Sequence, residues 1–118
     1  MSHDHRAALN HLIEGLLSGR LLEVFDLTYA DDVVMSENGQ DDPARHGKPA
    51  NRAYEAYFAE HAQWHDARVG AVIVDGDRSA YEMYMDFTFQ GQRIQRHQVA
   101  VQQWRDGKIV RETFYYQP

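Results

Sequence analysis

The chain contains no cysteine. Disulfides, thiol nucleophiles and thiolate metal sites are therefore excluded, and a core must be held by packing and hydrogen bonds. Proline is scarce, at three residues. No apolar run approaches the roughly 20 residues that a membrane helix needs. Positive charge is also short: 12 Lys and Arg against 18 Asp and Glu leave a net charge of −6. An acidic chain with scattered arginines, and no basic sheet interleaved with aromatics, is a poor nucleic-acid binder. No glycine-rich phosphate loop and no G-x-S-x-G elbow occur, so a nucleotide site and a serine nucleophile have no support. The start, Met-Ser-His-Asp-His-Arg, lacks the charged, apolar and small-residue regions of a signal peptide, and the expected location is cytoplasmic.

What is present is an ordinary globular balance, 43% hydrophobic and 25% charged over 118 residues. That length suits a single domain, 1–118, around one core. Leu9, Leu12, Ile13, Leu16 and Leu17 recur at helical spacing. Asp4 or Ser2 caps this helix, and Ser18-Gly19 ends it. A shorter helical pattern follows in Leu21, Leu22, Phe25 and Tyr29, then a short strand, Val33-Val34-Met35. Glu37 to Lys48, with Gly39, Pro43 and Gly47, has no apolar period and reads as a loop, a lid or a rim. Pro49 suits the first turn of a third helix. Its stripe of Ala50, Ala53, Tyr54, Tyr57, Phe58 and His61 presents rings to something.

Four strands follow, at 69–74, 80–89, 94–104 and 109–116, separated by Asp75-Gly76, Gly91 and Asp106-Gly107. Asp-Gly between apolar runs is a strong hairpin signal. Two helices, a strand, a helix and a four-stranded antiparallel meander make an α+β domain.

A two-residue turn at Asp106-Gly107 sets Trp104 opposite Ile109, Val101 opposite Glu112, Val99 opposite Phe114 and His97 opposite Tyr116. Opposite residues share a face; Val99, Val101, Val110 and Phe114 mark one face as the inner one, and Trp104 falls on the other. The inner face carries the candidate catalytic residues Glu112, His97 and Tyr116. A carboxylate on an apolar face must be paired or have its pKa raised, toward the protonated form that a general acid uses. Paired to an arginine or a tyrosine, Glu112 is instead structural, and His97 is equally a satisfied core histidine or a site residue. The two stand roughly 13 Å apart along the sheet, too far for a dyad.

In the strand before, Tyr81, Met83, Met85, Phe87 and Phe89 alternate with Glu82, Tyr84 and Asp86. A three-residue loop, Gln90 to Gln92, puts Met85 opposite His97; a two-residue turn instead turns Asp86 inward beside His97, and Glu82 beside Val101. The burial pattern favours the methionines. The expected pocket lining is Met35, Tyr54, Tyr57, Phe58, Met83, Met85, Val99 and Phe114. The outer face, with Tyr84, Trp104 and Tyr115, is the expected homodimer surface. His3 and His5 flank Asp4 in what reads as a frayed end. His61 and His65 have zinc-helix spacing, but Ala62 stands where the protease motif needs Glu. Neither a metal nor a cofactor is expected.

Tyr29-Ala30-Asp31-Asp32-Val33-Val34 resembles the helix-to-strand passage of the SnoaL-like branch of the nuclear transport factor 2-like superfamily. His46-Gly47-Lys48 leading into Ala53-Tyr54-Glu55 resembles the start of its third helix. Arg105 to Glu112, with Phe114-Tyr115-Tyr116, resembles its closing hairpin. The resemblance covers essentially the whole chain. It implies a cone-shaped, curved antiparallel sheet wrapped around N-terminal helices, in the order α-α-β-α-β-β-β-β, usually in a dimer. Relatives include ketosteroid isomerases, polyketide cyclases, epoxide hydrolases and dehydratases, all without cofactor, and pure binding proteins. Where epoxide hydrolases carry an Arg and an Asp two apart on a strand, this chain has Met83 and Met85, and the strand-final Asp is Gln117; both departures argue against epoxide opening. Two functions are expected in turn. One is a cofactor-independent isomerase or cyclase that moves a proton on a small cyclic carbonyl compound through Glu112 or His97, with Tyr116 donating to a developing oxyanion. The other is a non-catalytic carrier of a small apolar ligand. An interaction protein working through the outer sheet face is a third possibility.

Overall fold

A computed structural model describes residues 4–42 and 45–117. Ser2, His3 and Pro43, which carried cap, metal and loop readings, lie outside them. Asp4 caps α1 (His5–Leu17), its Oδ1 accepting from the Ala7 N–H at 2.9 Å. The helix buries Leu9, Leu12 and Ile13, and Ser18 ends it. Gly15 faces Val24 of α2 (Leu21–Thr28) so closely that an added Cβ would lie 2.2 Å from a Val24 methyl. The expectation of a frayed start fails at His5. Its ring stacks on Trp104 at 4.8 Å, and its Nδ1 donates to the Gly76 carbonyl at 2.7 Å.

The chain passes directly from α2 into β1 (Tyr29–Glu37), which is longer than the three residues expected. A loop leads to α3 (Lys48–His61), with Pro49 in its first turn. Then come β2 (Gln63–Asp75), β3 (Arg78–Phe89), β4 (Gln92–Arg105) and β5 (Lys108–Tyr116). The sheet order is β1-β5-β4-β3-β2. β1 runs parallel to β5, and all other neighbours are antiparallel. Three helices against this open sheet form an α+β cone. Leu9, Leu12, Val24, Phe25, Met35, Phe87 and Ile109 are fully buried in its core. No helix among the described residues is long and apolar enough to cross a membrane.

Two hairpins turn through residue pairs with positive φ, Gln90-Gly91 (53° and 79°) and Asp106-Gly107 (54° and 79°), as a two-residue turn of the I′ type requires. The β3–β4 loop therefore has two residues, not three: Phe89 pairs with Gln92 and Met85 with Arg96. Met83 and Met85 still face inward. The reason is a second departure. After Trp104↔Ile109 the β4–β5 register slips, so that Gln103 pairs with Arg111 and Gln102 with Glu112. Val110 is the extra residue of a β-bulge. The bulge reverses the phase of β4 relative to the expected pairing. Gln98, Ala100, Gln102 and Trp104 are buried, whereas His97 and Val99 stand on the outer face.

Candidate active site

Three connected spaces form a funnel between the helices and the inner sheet face. The deepest is a chamber of about 120 Å³ walled by Phe25, Tyr29, Met35, Tyr81, Met83 and Trp64, among others. A polar vestibule of about 110 Å³ adjoins it, bounded by Glu37, Arg45, Tyr54 and Arg96. Glu55, Phe58, Met85, Gln98 and Phe114 line both. A mouth of about 330 Å³ lies outside, between Tyr57, Phe89, Ile94 and Tyr116, and shares Glu37, Tyr54 and Arg96 with the vestibule.

Helix α3 delivers the carboxyl. Asn51, Glu55 and Phe58 follow one another at i, i+4 and i+7, one inward stripe. Asn51 is fully buried and anchors the helix to the preceding loop: its amide donates to the carbonyls of Arg45 (2.7 Å) and Gly47 (2.9 Å). One turn on, Glu55 reaches the junction of chamber and vestibule. Burial lifts its pKa to about 7; the Arg45 guanidinium opposes the rise, and the charges of Glu112 and Glu37 add to it. Arg45 is only 6% exposed. It donates through Nη1 to Glu37 (3.0 Å) and through Nε to Asn51 (3.2 Å), and lies over the Tyr54 ring. Its buried Nη2 has no hydrogen bond and sits 4.0 Å from Glu55.

Glu112 is fully buried and accepts from the Tyr29 hydroxyl and, at 2.6 Å, from Gln102 Nε2. Ser79 donates to the Gln102 carbonyl oxygen (2.6 Å) and accepts from the Trp104 indole (2.8 Å). Burial raises the Glu112 pKa to about 7 against the pull of both bonds. Glu112 lines none of the three spaces; Tyr29 stands in the chamber wall in front of it. Burial first, and the Glu112 charge second, push the phenols of Tyr29 and Tyr81 well above their ordinary pKa. Both hydroxyls remain donors throughout the physiological range.

The structure thus separates the three residues proposed for catalysis. Glu112 lies behind the chamber, Tyr116 at the mouth, and His97 outside altogether, largely exposed and 3.3 Å from Glu82. Val99 is outward as well, the bulge having turned both away from the cavity. Met35, Met83, Met85, Phe58 and Phe114 line the chamber, and Tyr54 and Tyr57 the mouth. Sequence reading missed Glu55, Arg45, Arg96 and Gln98. The signal for Glu55 was its spacing from Asn51 and Phe58, but a stripe chosen for its rings passes over a polar one. Arg96 and Gln98 alternate inward on β4, a face the expected register had placed outside. Among the described residues no inward strand arginine has an acid two residues away: Gln98 stands two from Arg96.

Among the described residues no group of three His, Asp or Glu side chains converges as metal ligands. His61 donates to the Tyr57 carbonyl and His65 bonds Thr88, so the pair serves two different elements.

Residues 9–112 match the SnoaL-like domain family. None of the curated proteins matches the chain. Among solved structures, a Mesorhizobium loti protein named as a SnoaL-like polyketide cyclase is 27% identical, with a TM-score of 0.83 over 97% of this chain and 100% of that one. An M. tuberculosis LEH-like epoxide hydrolase is 16% identical, with a TM-score of 0.78 over 96% and 82% of the two chains. A Rhodopseudomonas palustris protein named as an isomerase is 15% identical, with a TM-score of 0.73 over 99% and 92%. With most of its length matched and its fold shared, the chain belongs to the SnoaL-like domain family.

Proposed function

We propose that the protein is a cofactor-independent enzyme that moves a proton on a small cyclic carbonyl compound, in the manner of an isomerase or cyclase. One observation carries this reading: Glu55 borders both the apolar chamber and the polar vestibule, with its pKa raised to about 7. A base is most effective when its pKa lies near the working pH. The chamber volume sets the substrate scale. A dry cavity of about 150 Å³ accepts benzene, so one ring fits across the chamber and the adjoining vestibule, about 120 and 110 Å³, with its polar substituents toward the vestibule.

Ionised Glu55 takes a proton from the carbon beside the carbonyl. The C–H pair forms a carbon–carbon double bond, and the carbonyl π pair moves onto oxygen. Gln98 and Tyr81 are the donors available to that oxyanion. In a substrate with a carbon–carbon double bond conjugated to the enolate, protonated Glu55 then returns its proton to the far end of that double bond as the oxyanion re-forms the carbonyl, which completes an isomerisation. Alternatively, the enolate carbon attacks a second carbonyl of the same substrate, which closes a ring, and the alkoxide so formed takes the proton back from Glu55. Glu112 holds the Tyr29 side of the chamber rather than touching substrate, and Tyr116 belongs to the entrance. The naming of similar structures as a cyclase and an isomerase supports the same class.

The test is hydrogen exchange beside the carbonyl of cyclohexanone in D2O, followed by NMR. General-base catalysis is worth about 10²–10⁴-fold, so Glu55→Gln should lower the enzymic rate by at least about 100-fold while the fold persists. An undiminished rate in that variant, or no acceleration over buffer by the wild type, sinks the proposal. Ring binding without exchange would identify a carrier.

A further inference from the structure

The neck of the funnel holds a cation with no acid paired to it among the described residues. Arg96 lines both vestibule and mouth. Acids outnumber bases 18 to 12 in this chain, yet among the described residues Arg96 has no ion pair. Glu37, the carboxylate shared by the same two spaces, is paired to Arg45 at 3.0 Å. The Arg96 guanidinium instead lies over the Tyr116 ring, 3.8 Å from its centroid, and 6.0 Å from that of Phe87. An arginine stacked on an aromatic face keeps its N–H edge free for a planar acceptor and is already oriented for two parallel bonds. Its position along the funnel is fixed by the shared walls: chamber, Glu55, Arg96, mouth.

We infer that Arg96 is a carboxylate-binding site and that the protein's ligand is a small cyclic keto acid, its ring toward Glu55 and its carboxylate at the neck. A singly charged carboxylate balances the Arg96 guanidinium. A phosphate brings further negative charge that Glu37 would repel, and among the described residues no second unpaired cation lines the vestibule or the mouth. Gln98, the next inward residue on β4, faces the same vestibule and adds a neutral amide to it. This assignment rests on the reading of the funnel as the ligand site and extends it to a substrate class.

The experiment is calorimetric titration of the wild type with 4-oxocyclohexane-1-carboxylate and with its uncharged carboxamide. A charge-assisted pair of bonds should favour the acid by about tenfold or more. R96Q should bind acid and amide alike, and R96K, which keeps the charge but not the planar edge, should retain part of the preference. Unaltered circular dichroism would confirm that both variants fold. Equal affinity of the wild type for acid and amide, a preference that survives in R96Q, or no binding of either compound overturns the carboxylate site. Cyclohexanone exchange separates this result from the proton-transfer reading. A missing preference with exchange intact removes only the carboxylate site, and a preserved preference without exchange removes only the catalysis.

Discussion

At the residue scale, Glu112 links burial to pH. Its folded pKa of about 7 lies above the ordinary 4.5. Between these values the folded state holds a proton that the unfolded state has released. Stability from this group is therefore full below about pH 4.5 and is lost as pH rises to about 7. For one such carboxyl the change is on the order of 3 kcal/mol, and Glu55 acts in the same direction. Glu112→Gln removes the Glu112 part: melting temperatures across pH 5–8 should flatten, with the variant at least as stable as the wild type at pH 8. The amide oxygen can accept from Gln102 while its NH2 donates to the Tyr29 oxygen. A wild-type profile already flat over that range would refute the linkage. Glu112 was recognisable from sequence as an acid on an apolar face, and its tyrosine partner was one of the two readings left open. Tyr29 as that partner was not recognisable, because the two residues meet only through the parallel pairing of β1 with β5.

At the element scale, the α1–α2 contact depends on a missing side chain. Gly15 is helical, so alanine would gain up to about 1 kcal/mol of helix propensity. Its Cβ, however, would fall 2.2 Å from a methyl of buried, stiff Val24. Gly15→Ala should therefore destabilise by roughly 1–3 kcal/mol net, as overpacking does; chemical denaturation is the measurement, and a stabilised variant would contradict this packing. The β4–β5 bulge shows the same dependence on detail. The turn Asp106-Gly107 and the pairs Arg105↔Lys108 and Trp104↔Ile109 were all legible. One inserted residue, Val110, then moved His97 and Val99 outside and brought Arg96, Gln98 and Gln102 inside. Alternation alone cannot reveal a bulge, because every residue beyond it remains in strict alternation with the wrong origin.

At the scale of the whole molecule, the outer sheet face is left without a covering layer. Tyr115 and Val99 are exposed there, and the Tyr84 ring, under Arg68, lies on the same face. Trp104, expected among them, is buried instead and belongs to the Ser79–Gln102–Glu112 chain. We propose that this face pairs two copies of the chain. Tyr84→Arg should shift sedimentation equilibrium toward monomer; an unchanged mass would reject the placement.

The sequence alone determined the order of elements, a cap at Asp4 or Ser2, the break at Ser18-Gly19 and the hairpin at Asp106-Gly107. Each is set by neighbours a few residues away, through turn chemistry, capping and periodicity, and such signals survive without knowledge of the fold. Only the tertiary structure decided which acid faces the cavity, how Arg45 comes to lie between Glu37 and Glu55, and that Arg96 stands at the neck with no ion pair among the described residues. These depend on the phase of α3 and on a register shift between strands. Both are chosen by long-range burial across the core, where the side chains that compete for the inner face come from distant parts of the chain.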